Sequence, residues 1–421
     1  MISYKRKTCR LCNSKKIEVL MNFIPTSLVD NFRKMHHEKI SLPPVPMDLY
    51  ICNVCKHVQL LDVVYPQYIY DDYTYISSSS PDLLEHFKGL CEEIIKYTSI
   101  RKNSIVLDIG CNEGILLNEF RKKNYKTIGV DPDKKSLINA KKKGIITFNK
   151  YFNEKLAYQL KKKYRSLNLI IATNVYAHDD KLIEFTYNVY NLLKAGGYFV
   201  FEVSYLRDLL KSKVWDYVYH EHLSYHSIKP LHLMLSKVGF QIEKIVFKKV
   251  KGGSIRCYAK KISKKINNKH VQKYIFEENK SGIYNIENYK KLLKEKTKIR
   301  KIINNFINKN FNKKTIASYG ASATCTVIAQ EYDYSKHLSF ILDDNKFKHK
   351  TLSPGFLIPV FKANNLNKMF PELLIISAWR FKDLILIKCK DYLVKGGVIL
   401  VPHPKPYILK IKNKVEKITY L

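Results

Sequence analysis

Apolar and polar positions along this chain fall into blocks that read as strands followed by helices. The clearest is Ser104-Ile-Val-Leu-Asp-Ile-Gly-Cys-Asn-Glu-Gly-Ile-Leu-Leu117. Its apolar run ends in Asp108-Ile-Gly110, and Gly114 opens a helix-like segment. A strand, a tight glycine turn and a helix start let backbone approach a nucleotide-like ligand. A second strand, Thr127-Ile-Gly-Val-Asp131, ends twenty-one residues after Gly110 in an acid placed to accept hydrogen bonds from a ribose. Leu167-Asn-Leu-Ile-Ile-Ala-Thr-Asn174 and Gly197-Tyr-Phe-Val-Phe-Glu-Val203 continue the series, the latter after a helix with glycine stops. Strands alternating with helices predict a mainly parallel, doubly wound sheet whose ligand lies at the carboxyl ends of its strands. Asp108, Asp131, Asn174 and Glu202 are thereby expected around one crevice.

The same rhythm returns late in the chain. Thr315-Ile-Ala-Ser-Tyr-Gly-Ala-Ser-Ala323 reads as strand, turn and helix start, and Leu338-Ser-Phe-Ile-Leu-Asp-Asp344 as a strand with an acidic tip. Leu373-Leu-Ile-Ile-Ser-Ala378 and Gly397-Val-Ile-Leu-Val401 complete a second α/β unit. The pattern divides into 1–70, an α/β domain over 71–260, a helical connector over 261–310 and the second α/β domain over 311–421. No apolar run approaches the roughly 18–20 residues of a membrane span.

Cysteine usage adds a metal site to the first segment. Cys9-Arg-Leu-Cys12 and Cys52-Asn-Val-Cys55 are two C-x2-C pairs separated by 39 residues, and four thiolates suit one tetrahedral zinc. Such a site is closed to catalytic water, so its role is structural. His57, beside the second pair, is expected at the surface rather than as a further ligand. Reduced, metal-binding cysteines and a start without an apolar signal core point to the cytoplasm.

The formal charge of +37 over 421 residues favours anionic partners. Lysine is spread along the whole chain without a compact basic-aromatic block, so a solvated basic surface is expected and nucleic acid is not the expected partner. A nucleotide diphosphate would also be favoured by that charge. The sequence gives no oligomeric state, and a monomer is expected.

Two stretches are dense in chemistry. Residues 68–81, rich in tyrosine and serine, suit a lid or substrate loop, or else a polar linker. Trp215-Asp-Tyr-Val-Tyr-His-Glu-His-Leu-Ser-Tyr-His226 carries more polar groups than a core would hold. In an extended segment Tyr219, Glu221 and Tyr225 would share one face, with His220 and His222 on the other. A histidine held by a carboxylate is suited to take a proton from carbon beside a carbonyl. His178, four residues past Asn174, is a further candidate, or else an ordinary loop histidine.

The pattern Asp108-x-Gly110-x-x-x-Gly114 resembles motif I of the S-adenosylmethionine (SAM) methyltransferases. Nearly the whole chain resembles the three-domain, zinc-containing sugar C-methyltransferases, which methylate C3 of 4-keto-deoxy nucleotide sugars. The resemblance is carried by the paired knuckles, the tyrosine-rich serine loop, Val106-Leu-Asp-Ile-Gly-Cys-Asn-Glu-Gly114, Asn174 with His178, and Tyr219-x-Glu221-His222. Lys251-Gly-Gly-Ser-Ile-Arg256, Tyr319-Gly-Ala-Ser-Ala323 and residues 351–360 extend it. It implies a Rossmann-like class I SAM methyltransferase domain between an N-terminal zinc-binding domain and a C-terminal α/β domain. SAM and zinc are the implied cofactors, and a nucleotide-diphosphate sugar the implied substrate.

Residue by residue, the resemblance implies His222 as the base and Tyr219, Glu221 and His178 as sugar and enolate contacts. Tyr75, or Tyr73, would close over the sugar. Asp108, Gly110, Asn112, Gly114, Asp131 and Asn174 would hold SAM, and Cys9, Cys12, Cys52 and Cys55 zinc. The C-terminal domain would hold the nucleotide diphosphate, although Thr324 and Cys325 stand where many relatives carry lysine after Tyr-Gly-Ala-x-Ala. Transfer to oxygen or nitrogen of a nucleotide sugar, an RNA-modifying methyltransferase and a binding scaffold on a degenerate SAM fold are the alternative readings.

Overall fold

The structure is a computed structural model that describes residues 2–35, 42–70, 81–263, 268–412 and 415–421. Tyr75 and Tyr73 lie outside the described residues. The chain forms two compact units: Met1–Val19, Tyr50–Val214 and Glu221–Asn285 in the first, and Leu20–Leu49, Trp215–His220 and Ile286–Leu421 in the second.

In the first unit, seven strands build one sheet: β1 (Ile105–Ile109), β2 (Lys126–Asp131), β3 (Ile146–Asn149), β4 (Leu167–Thr173), β5 (Leu193–Ser204), β6 (Phe240–Lys248) and β7 (Ser254–Lys261). Their order is β3-β2-β1-β4-β5-β7-β6. Neighbours from β3 through β5 are parallel; β7 runs antiparallel to both β5 and β6. The strand order reverses between β1 and β4, and ligands of open α/β sheets bind outside the carboxyl ends of the strands at such a point.

Alternation along the strands explains the helices on both faces. Leu107, Ile109, Ile170, Ala172, Phe199 and Phe201 point into one core; Val106, Leu169, Ile171, Tyr198 and Val200 point into the other. The first core is closed by α4 (Glu154–Tyr164), α5 (Leu182–Leu192) and α6 (Ile228–Val238), and the second by α1 (Pro81–Thr98), α2 (Ile115–Lys122) and α3 (Lys134–Lys142). Fully burying one such Val, Leu or Ile is worth about 1.5–3 kcal/mol. An unbroken apolar run therefore settles as a central strand, covered on both sides.

The knuckle segment joins this unit through short strands. Ser3–Lys5 pairs antiparallel with Asp62–Val64, and Val58–Leu60 with Ser224–Tyr225. The latter pair ties the second knuckle to the chain just beyond His222.

The second unit is built on nine strands. They are β8 (Ile316–Tyr319), β9 (Phe340–Asp343), β10 (Thr351–Leu352), β11 (Pro359–Lys362), β12 (Leu373–Ile376), β13 (Ile399–Val401), β14 (Tyr407–Lys412), β15 (Val415–Tyr420) and the edge strand Arg33–Lys34. The core order β13-β12-β8-β9-β11 is parallel, with antiparallel strands at both edges.

Lys269–Ser281 forms α7 of the first unit, and Ile286–Phe311 forms α8 of the second. The buried positions of α8, Tyr289, Leu292, Lys296, Ile299, Ile303, Ile307 and Phe311, recur every three or four residues, one helical stripe. Its single charge is met: Lys296 Nζ lies 2.6 Å from Glu331 Oε2 on α9 (Ala323–Glu331).

Candidate functional site

Two short turns of the same shape build the metal site. In each knuckle the residue after the second cysteine adopts positive φ: Asn13 at 58° and Lys56 at 65°. The backbone closes back on the first cysteine, with Asn13 N–H donating to Cys9 O at 2.9 Å and Lys56 N–H to Cys52 O at 2.8 Å. All four Sγ atoms lie within 4.8 Å of one another; Cys9 to Cys55 is 3.5 Å and Cys12 to Cys52 is 3.6 Å. A tetrahedron of Zn–S bonds of about 2.3 Å sets its sulfurs about 3.8 Å apart. The cluster therefore fits zinc and completes its coordination without a water, as the sequence predicts.

His57 departs from expectation, because it is fully buried rather than at the surface. Its Nε2 is paired with Ser224 Oγ at 3.1 Å, and burial pushes its pKa well below the ordinary imidazole value. It is a neutral packing histidine outside the cysteine cluster.

At the carboxyl end of β1 the chain turns through Gly110 at φ 76° and Asn112 at φ 47°. A Cβ on Gly110 would stand 3.0 Å from Val175 Cβ, so the turn closes only without a side chain. Asp131 at the tip of β2 ties this turn down. Its Oδ2 accepts from Asn112 N–H and its Oδ1 from Asp133 N–H, both at 2.9 Å. Burial raises the Asp131 pKa, opposed by the two backbone donors. Gly114 stands at the N-cap of α2 with no side-chain cap, leaving the first amides of that helix toward the turn.

Asp108 is the acid at the end of β1, two residues before Gly110. It is 2% exposed, and its Oδ1 has no hydrogen-bond partner among the described residues. Burial and then the charge of Asp131 raise its pKa well above the ordinary carboxyl value. A buried carboxylate oxygen without a donor is unfavourable unless a bound group meets it. The ammonium of SAM is such a group, so Asp108, the glycine turn and Asp131 fit this cofactor.

Asn174 takes φ 56° just past β4, and its N–H donates to Glu202 O at 2.8 Å. The Glu202 side chain, expected along the crevice, is held by Arg256 (Nη2 2.8 Å, Nε 3.0 Å) and by His86 Nε2 at 2.8 Å. Burial works to raise its pKa, but the His86 bond and the Arg256 charge bring it below the ordinary value. Its charge is spent inside the fold.

His178 and His222 meet, their ring centroids 5.2 Å apart. Tyr70 OH lies 3.2 Å from His178 Nδ1. Burial and then the Glu221 charge raise the Tyr70 pKa well above 10, so the phenol keeps its proton. Tyr70 was not singled out by sequence. The signal was the tyrosine run 68–75, which does not say which phenol reaches the histidine.

The Tyr219-x-Glu221-His222 element is divided between the units: Tyr219 and His220 belong to the second, Glu221 and His222 to the first. His220 is a packing group, with Nε2 bonded to Val45 O at 3.0 Å and its pKa pushed down to about 4 by burial.

The second unit repeats the first unit's turn. Gly320 stands at φ 114°, and Asp343 at the tip of β9 accepts from Ala321 N–H at 2.6 Å and Asn345 N–H at 2.7 Å. Ser322 caps α9 by accepting from Cys325 N–H at 3.3 Å.

A switch-point sheet with this turn and an unmet buried carboxylate defines a class, and the family models agree with it. The methyltransferase domain model matches residues 83–245, and the protein is a SAM-dependent methyltransferase. It has, more particularly, the domain order of the C-methyltransferases. The zinc binding domain model matches residues 9–70 and the C-methyltransferase C-terminal domain model residues 249–404. The chain is 25% identical over 414 residues to C-methyltransferase NovU of Streptomyces niveus, across 96% of this chain and 97% of that protein.

Among solved structures it resembles the YcgJ protein of Bacillus subtilis, with 16% identity, 43% of this chain, 100% of that chain and a TM-score of 0.34. It also resembles magnesium protoporphyrin IX methyltransferase from Synechocystis PCC 6803 with bound SAM, with 14% identity, 46% of this chain, 88% of that chain and a TM-score of 0.33. Likenesses at that level carry no argument about function. Among the described residues no helix is long and apolar enough to cross a membrane.

Proposed function

We propose that this protein transfers a methyl group from SAM to C3 of a 4-keto-deoxy nucleotide sugar. The observation that carries the reading is the His178–His222 pair, whose rings stand 5.2 Å apart, with His178 four residues past Asn174 at the switch point. Bound SAM supplies an electrophilic methyl group. The C4 carbonyl acidifies the C3–H bond, and His222 takes that proton while its bonding pair moves into the C3–C4 enolate. A proton donor at the C4 oxygen stabilises the developing charge, a role assigned to His178, whose Nδ1 faces Tyr70 OH. The enolate carbon would then take the methyl group as the methyl–sulfur bond breaks and its electron pair leaves on sulfur, giving the neutral thioether S-adenosylhomocysteine, and the C4 carbonyl re-forms.

Glu221 and Tyr219 are assigned to the sugar, and Tyr75 to closure over it. Asn112, Gly110, Gly114, Asp131 and Asn174 are assigned to SAM alongside Asp108. The second unit is assigned to the nucleotide diphosphate, with a monomer acting in the cytoplasm. The likeness to NovU, a C-methyltransferase by name, supports carbon as the acceptor.

The test incubates the protein with SAM and a panel of 4-keto-6-deoxy nucleotide sugars in deuterated water, read by mass spectrometry. The expected product is heavier by one methyl group, with deuterium entering C3 of unreacted sugar. Methyl linked to oxygen or nitrogen in the mapped product would overturn carbon transfer. His222→Ala is expected to lower kcat by about 10²- to 10⁴-fold with SAM binding intact. Normal turnover in that variant would remove His222 as the base.

A further inference from the structure

We propose that Arg10, set between the zinc knuckle's own cysteines, is a positioning residue that holds His178 and His222 together. The proposal rests on the reading of that pair as the reacting histidines. Arg10 is 1% exposed, and its guanidinium reaches two sides. Nη1 donates to Leu60 O at 2.8 Å, to Leu223 O at 2.8 Å and to Gln59 Oε1 at 3.2 Å. On its other side Nε and Nη2 meet Asp180 Oδ1 at 3.1 and 3.0 Å.

The two loops so gripped are the ones that carry the histidines. Leu223 directly follows His222, and Asp180 lies two residues past His178. A planar fork with fixed donors is suited to set the spacing of two such loops, which a flexible ammonium is not. Arg10 in turn directly follows Cys9 and stands two residues before Cys12, and its N–H donates to Gln59 Oε1 at 3.0 Å.

The surroundings reinforce one side of this clamp. Tyr4 OH donates to Asp180 Oδ2 at 2.7 Å, and Arg6 Nη1 meets the same oxygen at 3.0 Å. Ser224 N–H donates to Ala177 O at 3.1 Å, so the two histidine loops also touch directly. The knuckle is thus more than a staple for the N-terminal segment. Zinc would hold Cys9 and Cys12, which flank Arg10 in the knuckle, and Arg10 holds the loops behind the histidine rings.

The test follows the rings rather than the reaction. The full-length protein is labelled at its 13 histidine imidazoles, with His178 and His222 signals assigned from their single Ala variants. Wild type is expected to show the magnetisation transfer between those two rings. In Arg10→Met it is lost and both signals shift, while one zinc per chain and SAM affinity are retained; Arg10→Lys recovers part of the transfer. Chelating zinc from wild type reproduces the loss.

Asp180→Asn removes the ion pair from the other end and carries the test if Arg10→Met does not fold. Unmoved His178 and His222 signals in a folded, zinc-loaded variant would overturn the positioning role. With the 4-keto sugar as acceptor, a ring displacement of about 1 Å should lower kcat on the order of 100-fold at constant KM. Displaced rings with unchanged kcat would overturn the functional reading of the pair and leave the clamp itself standing.

Discussion

The two glycine turns of this protein share a construction and differ in what they leave unmet. In each, an aspartate at the tip of the neighbouring strand accepts one N–H from the turn and one from two residues past itself: Asp131 from Asn112 and Asp133, Asp343 from Ala321 and Asn345. The residue two positions before the glycine separates them. In the first unit it is Asp108, a buried acid with an unpartnered oxygen. In the second it is Ser318, whose Oγ lies 2.6 Å from Ser377 Oγ, itself 2.7 Å from Tyr334 OH. The following helix repeats the contrast, since α2 has no side-chain cap and α9 is capped by Ser322. A glycine turn alone does not mark a cofactor site. What distinguishes the first turn is a buried acid with an unpartnered oxygen and a following helix without a side-chain cap.

The sharpest way to break this contrast is Asp108→Asn, expected to weaken SAM binding by about 100-fold, or about 2.7 kcal/mol, by calorimetric titration. The same variant should change the pH behaviour of the cofactor-free protein. The folded pKa of Asp108 lies above its unfolded value near 4, raised by burial and by Asp131. Across that interval the native state keeps a proton the unfolded chain has released, so this residue's contribution to stability falls as pH rises. Asn cannot titrate, and thermal unfolding of the variant should lose that fall. An unchanged SAM affinity would remove Asp108 from the cofactor site.

Next in size is Gly320→Ala. Its Cβ would stand 2.7 Å from Ala378 Cβ and 2.8 Å from Cys325 Sγ, at a φ of 114°. The expected loss is about 2 kcal/mol of stability with SAM affinity unchanged, read by denaturant unfolding beside the same titration. A parallel loss of SAM affinity would mean that the second turn serves the cofactor as well.

Smallest is Ser318→Ala, which should cost about 1 kcal/mol through the Ser318–Ser377–Tyr334 chain and nothing in SAM binding. A stability loss as large as that of Gly320→Ala would show that the second turn depends on its polar network as much as on its backbone.

Much of this was legible in sequence because it is local. Asp108-x-Gly110 and Asp131 sit where strand length and one crossover place them, and each C-x2-C pair closes within its own five-residue turn. The stripe of α8 is written in its spacing. Histidines were harder. His57, His220 and His222 look alike along the chain, yet His57 is a buried partner of Ser224, His220 packs against Val45 O, and only His222 meets His178. Glu202 reads as a crevice acid until Arg256, on a strand 54 residues later, takes its charge.

What the chain determined by itself was the alternation of strands and helices, the switch-point turn, the zinc ligands and a pair of candidate histidines. Each follows from period, from backbone freedom at glycine or from ligand chemistry, all of which act over a few residues. Only the tertiary structure decided which polar groups remain unmet. That depends on partners such as Arg10 to Leu223, or Tyr70 to His178, separated by 213 and 108 positions, whose meeting is set by packing and not by spacing. A buried polar group is stable when paired, so the fold pairs most of them, and Asp108 is among those it leaves unmet.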